Sequence, residues 1–264
     1  MTDQPEPQRT PPMWLRHPGR QAPVDRVEVT VGTQADGSLL IVDVTTPAGR
    51  SPDPIPVCLI VHGAVPLAMG AVMRRSQMYR DWGAALAGAG VAGLMFDHSL
   101  GWPELDADRA MAETGQVLAW LAANATARRF DLARLSAILV SGGGVLAPAL
   151  LDSDSLPSIR RAALFSPLTG DPDGRREGLS LAAAAPAIAR RGVRLAIFRA
   201  GGDDPGLLSL LDAGVAALLA ADADILAHNL PDAPHCYEVR QDGPRIQAAV
   251  ELALGLLAWR DGDG

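Results

Sequence analysis

Lysine is absent from the 264-residue chain, so all 23 positive charges are arginine. Set against 30 acidic residues they leave a net charge of −7, and they form no basic run. Such a chain is poorly suited to nucleic acid or to an anionic membrane surface. Cysteine occurs only twice, at Cys58 and Cys236. That is too few for a disulfide framework, and no CxxC metal spacing exists. Two scattered histidines, His17 and His228, likewise form no metal spacing with another ligand. No stretch reaches the roughly 18 apolar residues of a membrane span. The opening MTDQPEPQRTPP lacks the basic-then-apolar order of a signal peptide. These absences lead to the expectation of a cytoplasmic protein without a membrane span, metal or nucleic-acid partner; oligomeric state is not legible.

What is present is a globular composition. Hydrophobic residues make up 48% and charged residues 20%, which excludes a disordered chain. A chain of this length can bury about three quarters of its unfolded surface and needs no staple to fold. Residues 1–23 are proline-rich without apolar periodicity and are expected to form a mobile arm; 24–264 are expected to form one domain. Strand-like runs fall at 27–31 and 39–45, around the turn signal Asp36-Gly37, and then at 57–61, 91–96, 137–140, 162–165, 195–198 and 224–230. Helical stretches fall near 76–88, 106–127, 144–151, 180–191, 207–221 and 244–260. Strands that are apolar throughout and alternate with helices predict an α/β fold. Its twisted sheet would have about eight strands, mostly parallel, with an antiparallel N-terminal edge and helices on both faces. The least patterned internal stretch, 168–185, is the expected small lid.

In an open parallel sheet, ligands gather at the carboxyl ends of the strands. The residues found there are His62-Gly63-Ala64, Asp97, Ser141 followed by Gly142–Gly144, Gly201-Gly202-Asp203-Asp204, and Pro234-His235-Cys236. A serine, an aspartate and a histidine thus follow in that order. A serine hydroxyl is a weak nucleophile that needs a base within hydrogen-bond reach, and the base needs a carboxylate to fix its tautomer. A strained strand-to-helix turn would hold the serine above the sheet, with the next backbone N–H facing an oxyanion.

The segment DLARLSAILVSGGGVLA, residues 131–147, resembles the α/β-hydrolase family, in particular its esterase and dienelactone-hydrolase-like branches. Asp131, Arg134, Ser141, Gly143, Gly144, Leu146 and Ala147 fall in the family register without a gap. The resemblance runs from His62-Gly63 through FDHSLGWP at 96–103 to GGDDP at 201–205 and APHCY at 233–237, about residues 25–260 in element order. It implies Ser141 as nucleophile, Asp204 as acid (by the G-x-x-D spacing from Gly201, with Asp203 as the rival) and His235 as base. The oxyanion donors would be the N–H groups of Gly142 and Ala64. It implies no cofactor, a packed structural role for the His62 side chain, and a usually structural role for Asp97 and His98. Cys236 does not align as a nucleophile.

One departure stands out. The family carries a small residue two before the serine, where this chain has Leu139, expected to crowd the turn. In a second register Gly143 takes the nucleophile position and no nucleophile remains. The glycine triplet also resembles a phosphate cradle, though without the Lys-Ser/Thr of a P-loop or a full G-x-G-x-x-G. Trp102 and Met69 are candidates for a substrate pocket. The expected function is a serine hydrolase acting on a carboxylic ester or similar small acyl substrate, with thioester, amide or peptide as variants of the same mechanism. The alternative is an inactive protein of the same fold that binds a ligand or partner.

Overall fold

The computed structural model describes residues 13–15, 17–34, 36–49, 53–66, 73–154 and 157–259. One sheet is built from β1 (Val24–Thr33), β2 (Leu39–Pro47), β3 (Ile55–Val61), β4 (Ala92–Phe96), β5 (Phe130–Val140), β6 (Arg161–Phe165), β7 (Arg194–Ala200) and β8 (Ile225–Leu230). Their order is β1-β2-β4-β3-β5-β6-β7-β8. β1 and β2 pair antiparallel, as do β2 and β4, and the other neighbours are parallel. The helices are α1 (Gln77–Gly88), α2 (Ala107–Arg128), α3 (Ala147–Leu151), α4 (Leu181–Arg190), α5 (Pro205–Ala220), α6 (Tyr237–Arg240) and α7 (Pro244–Leu257). The expected α/β architecture with its antiparallel edge is present; the short helix α6 has no counterpart in the sequence reading.

Why the central strands are apolar on every residue is visible in β3 and β5. Val57, Leu59, Val61, Leu135, Ala137 and Leu139 face a core shared with α2, α3, α4 and α5. Cys58, Ile60, Ile138 and Val140 face a second core under α1 and α7. A strand buried on both faces has no polar side to alternate with. Polar residues are therefore deferred to the strand ends, which brings the chemistry of the sequence to one rim of the sheet.

Of the expected arm, 1–12 and 16 lie outside the described residues; the described part of it lies against the domain. Leu15 is fully buried in the second core. The Trp14 amide donates to Val239 O (3.2 Å), the Leu15 amide to Asp81 Oδ2 (3.1 Å), and His17 Nε2 meets Glu251 Oε1 at 2.7 Å. Burying this leucine contributes about 2 kcal/mol toward holding the strap. The expected lid is likewise shorter than 168–185. From Leu181 the chain is already α4, with Leu181, Ala185 and Ile188 in the core. The loop that remains is pinned: Asp171 Oδ2 accepts the amides of Arg175 (3.2 Å) and Arg176 (3.1 Å), and Arg176 Nη1 donates to Leu105 O (2.6 Å). Among the described residues no helix is long and apolar enough to cross a membrane, and no group of three or more His, Cys, Asp or Glu could hold a metal ion.

Candidate active site

β5 ends at Val140, and Ser141 follows with φ +52°. A left-handed backbone at a residue with a Cβ costs roughly 1–2 kcal/mol and persists only where the surroundings impose it. Here the Ser141 carbonyl accepts the Leu168 amide at 2.8 Å, and the chain turns at once into a 3-10 helix, Ser141–Leu146, leading to α3. The three glycines make this turn possible. A methyl on Gly143 would fall 2.5 Å from His62 O, and one on Gly144 2.6 Å from Leu168 O. Both therefore face neighbouring protein backbone, which accounts for the triplet without a phosphate. The register with Ser141, not Gly143, at the tip of β5 is the one adopted. Leu139 does not crowd the turn, because its side chain lies wholly within the α2–α5 core, in register with Val61 and Leu164.

His235 lies on the loop between β8 and α6. Its Nε2 is 2.7 Å from Ser141 Oγ, and its Nδ1 is 2.6 Å from Asp203 Oδ2. The carboxylate accepts the proton on Nδ1, which leaves Nε2 free to accept from the serine hydroxyl. Asp203 is 8% exposed and the His235 side chain 28%, so the pair is shielded yet reachable. Gly201 lets the acid loop pass close to the histidine loop: a Cβ there would sit 2.3 Å from Pro231 O. The Gly202 amide then ties the two loops by donating to Ala233 O at 2.9 Å.

The aspartate beside His235 is Asp203, and the expected acid, Asp204, points elsewhere. Its Oδ1 accepts the amides of Gly206 (2.8 Å) and Leu207 (3.3 Å), so it caps α5, and its own amide donates to Asp203 Oδ1 (2.8 Å). The signal lay in the sequence: aspartate before proline at a helix start reads as N-cap and N1.

Ala64 lies against the elbow. A methyl on Gly142 would fall 2.6 Å from the Ala64 amide nitrogen, which puts the two expected oxyanion residues side by side. The peptide group joining Gly63 and Ala64 is held from behind by His62, whose Nδ1 is 2.6 Å from Gly63 O. The His98 amide donates to His62 Nε2 (3.2 Å), so the His62 proton resides on Nδ1 and points at that carbonyl. A hydrogen bond to a carbonyl polarises the N–H across the same peptide. His62 is 2% exposed, and burial pushes its pKa down to about 4. Its side chain is thus packed and hydrogen-bonded, as expected. Asp97 accepts the Arg74 amide (2.9 Å) and pairs with Arg74 Nε (3.2 Å), a structural contact.

Ser166, which the sequence reading passed over, accepts the Cys236 amide on Oγ at 3.1 Å. Cys236 itself is buried and free, its thiol pushed well up by burial. Trp102 is half exposed and lines a cavity of about 560 Å³ with Leu105, Asp171, Arg175 and Arg176. Trp102 pairs with Pro66 in a separate two-stranded ladder. Met69 lies outside the described residues.

No protein-family profile matches the chain, and neither does any curated protein. Solved structures do. A thermostable esterase from Pseudomonas putida aligns with a TM-score of 0.70 at 18% identity, over 89% of this chain and 82% of that one. One of two fungal esterases from Rhizomucor miehei aligns at 0.68 and 17%, over 90% and 85%. An esterase from Mycobacterium marinum aligns at 0.66 and 22%, over 89% and 81%. The sheet order, the left-handed serine at the tip of β5 and these alignments together identify the chain as having the α/β-hydrolase fold.

Proposed function

We propose that the protein is a serine hydrolase that cleaves a carboxylic ester, or a similar small acyl substrate, through an acyl-enzyme. The observation that carries this reading is the unbroken hydrogen-bond chain from Ser141 Oγ through His235 to Asp203, at 2.7 and 2.6 Å. Its register on a left-handed serine is what an exposed nucleophile requires. His235 Nε2 takes the hydroxyl proton as Ser141 Oγ attacks the carbonyl, and Asp203 stabilises the imidazolium that forms. The oxyanion rests on the N–H groups of Gly142 and Ala64, each worth about 3 kcal/mol in such a site. His235 then protonates the leaving alcohol. In the second half-reaction it deprotonates a water, which releases the acid and restores the serine.

Ser141 in the core with Gly143 at the tip would favour the binding-only alternative; the contact of Ser141 Oγ with His235 supports the hydrolase reading instead. The stretch between β6 and α4 is short and pinned through Asp171 and Arg176, which supports a small substrate over a long-chain one. The test is labelling with a fluorophosphonate, followed by turnover of p-nitrophenyl esters of increasing chain length. Stoichiometric labelling of Ser141, its loss in Ser141→Ala, and faster turnover of acetate than of decanoate are expected. An intact protein that takes up no probe defeats the mechanism, and a preference for long chains defeats the substrate class.

A further inference from the structure

Three residues around the site adopt left-handed backbone although they carry side chains: Ser141 (φ +52°), Ser166 (φ +42°) and Cys236 (φ +54°). They are connected by one tripeptide, Ser166-Pro167-Leu168, which leaves the end of β6. Its last residue donates the Leu168 amide to Ser141 O at 2.8 Å. Its first accepts the Cys236 amide on Ser166 Oγ at 3.1 Å, and Cys236 directly follows His235. Ser166 is itself fixed to the sheet, with its amide donating to Phe198 O at 2.9 Å. Pro167 fills the space beside the elbow, where a methyl on Gly144 would meet its Cβ at 2.7 Å. Ser166 and Cys236 are 2% and 7% exposed, so no water takes over the contact freely.

We propose that Ser166 is a positioning residue for His235, and that the brace 166–168 sets the reach between base and nucleophile by holding both from the same three residues. The inference rests on the reading of Ser141 and His235 as nucleophile and base. Glycine at 166 would adopt φ +42° without strain. It would also leave the buried Cys236 amide without its acceptor, an uncompensated loss concentrated beside the histidine. The left-handed Cys236 would then be free to relax, and the ring on the preceding residue would swing with it. Ser166 touches neither His235 nor the reacting atoms in this scheme; it acts through the backbone of Cys236.

Ser166→Ala and Ser166→Gly decide the matter, with p-nitrophenyl acetate as substrate, fluorophosphonate labelling rate as a second readout and thermal unfolding as a check on folding. A misplacement near 1 Å costs on the order of 100-fold in rate, so kcat and the labelling rate are expected to fall together by about 10- to 100-fold in both variants. KM should stay within about twofold, because the substrate pocket is untouched. The glycine variant relieves the left-handed strain, so it remains informative if the alanine variant fails to fold. A glycine variant with wild-type kcat overturns the proposal, as does a rise in KM at constant kcat. A wild-type protein that neither labels nor turns over ester overturns the hydrolase reading instead, so the two failures are distinct.

Discussion

The imidazole of His62 lies flat on that of His98, with centroids 3.6 Å apart and planes 8° from parallel. Two rings stacked this closely and buried must both be neutral, and burial lowers the pKa of each, that of His62 to about 4. A histidine whose folded pKa lies below its unfolded value of about 6.5 favours the folded state above that value. The contribution is then lost as the pH falls towards 4, because the unfolded chain takes the proton first. Over that window His62 alone accounts for roughly 3 kcal/mol. Denaturant midpoints are expected to drop from pH 7 to pH 4, and His62→Asn is expected to flatten the drop. An equal slope in the variant would place the acid sensitivity elsewhere.

Glu238 imposes the opposite slope. It is fully buried on α6, and among the described residues neither of its carboxyl oxygens has a hydrogen-bond partner. Burial raises its pKa to about 7, above the unfolded value. A carboxyl with a raised folded pKa stabilises the fold while it is protonated, below the unfolded pKa near 4.3, and that contribution is lost as the pH rises through 7. Glu238→Gln keeps the shape and removes the charge. It is expected to unfold at higher denaturant than the wild type at pH 8.5, by roughly 3 kcal/mol, with the advantage shrinking towards pH 5. Thermal unfolding at the two pH values reads this directly, and a variant less stable at pH 8.5 would contradict it.

The strands were legible because burial on both faces leaves each as a short apolar run, as in LAIF at 195–198, with the functional residues displaced to the end of the run. The approach of His235 to Ser141 was legible for that reason and through their order along the chain. The contact of Asp203 with His235 was not. Two adjacent aspartates differ only in which way the loop turns, and that is decided by α5 taking Asp204 as its cap. Ser166 was equally silent: a serine after a strand has no local signature, and its partner lies 70 residues away. The burial of Leu15 was not legible, because proline-rich sequence hides the one leucine that a tertiary groove takes up.

The oxyanion pocket proposed between Gly142 and Ala64 would be closed by one methyl group. In Gly142→Ala the added carbon would overlap the Ala64 amide and the Ala64 side chain, both at 2.6 Å. The two donors must separate to admit it, so neither remains aimed at the same oxygen. Loss of such alignment costs on the order of 100- to 1,000-fold in kcat. The Ser141–His235–Asp203 chain does not pass through this contact. The variant is therefore expected to retain some reactivity toward a small fluorophosphonate while esterase turnover falls further. Comparable losses in both assays would indicate that the whole elbow has moved.

The division of labour between Asp203 and Asp204 yields the sharpest contrast. In Asp203→Asn the side-chain amide can present an N–H to His235 Nδ1, which favours the tautomer with its proton on Nε2, facing Ser141 Oγ. An imidazole in that state cannot accept the serine proton, and kcat is expected to fall on the order of 1,000- to 10,000-fold with KM little changed. Asp204→Asn keeps a good capping side chain on α5, so both activity and stability should stay near wild type. Asp204→Ala leaves the Gly206 and Leu207 amides without their acceptor and should cost about 1 kcal/mol of stability, again with kcat within a few-fold. Steady-state kinetics and denaturant unfolding on the three variants separate the roles. If Asp204→Asn proves the inactive one, the acid has been assigned to the wrong neighbour and the 2.6 Å contact of Asp203 with His235 is not the one that works.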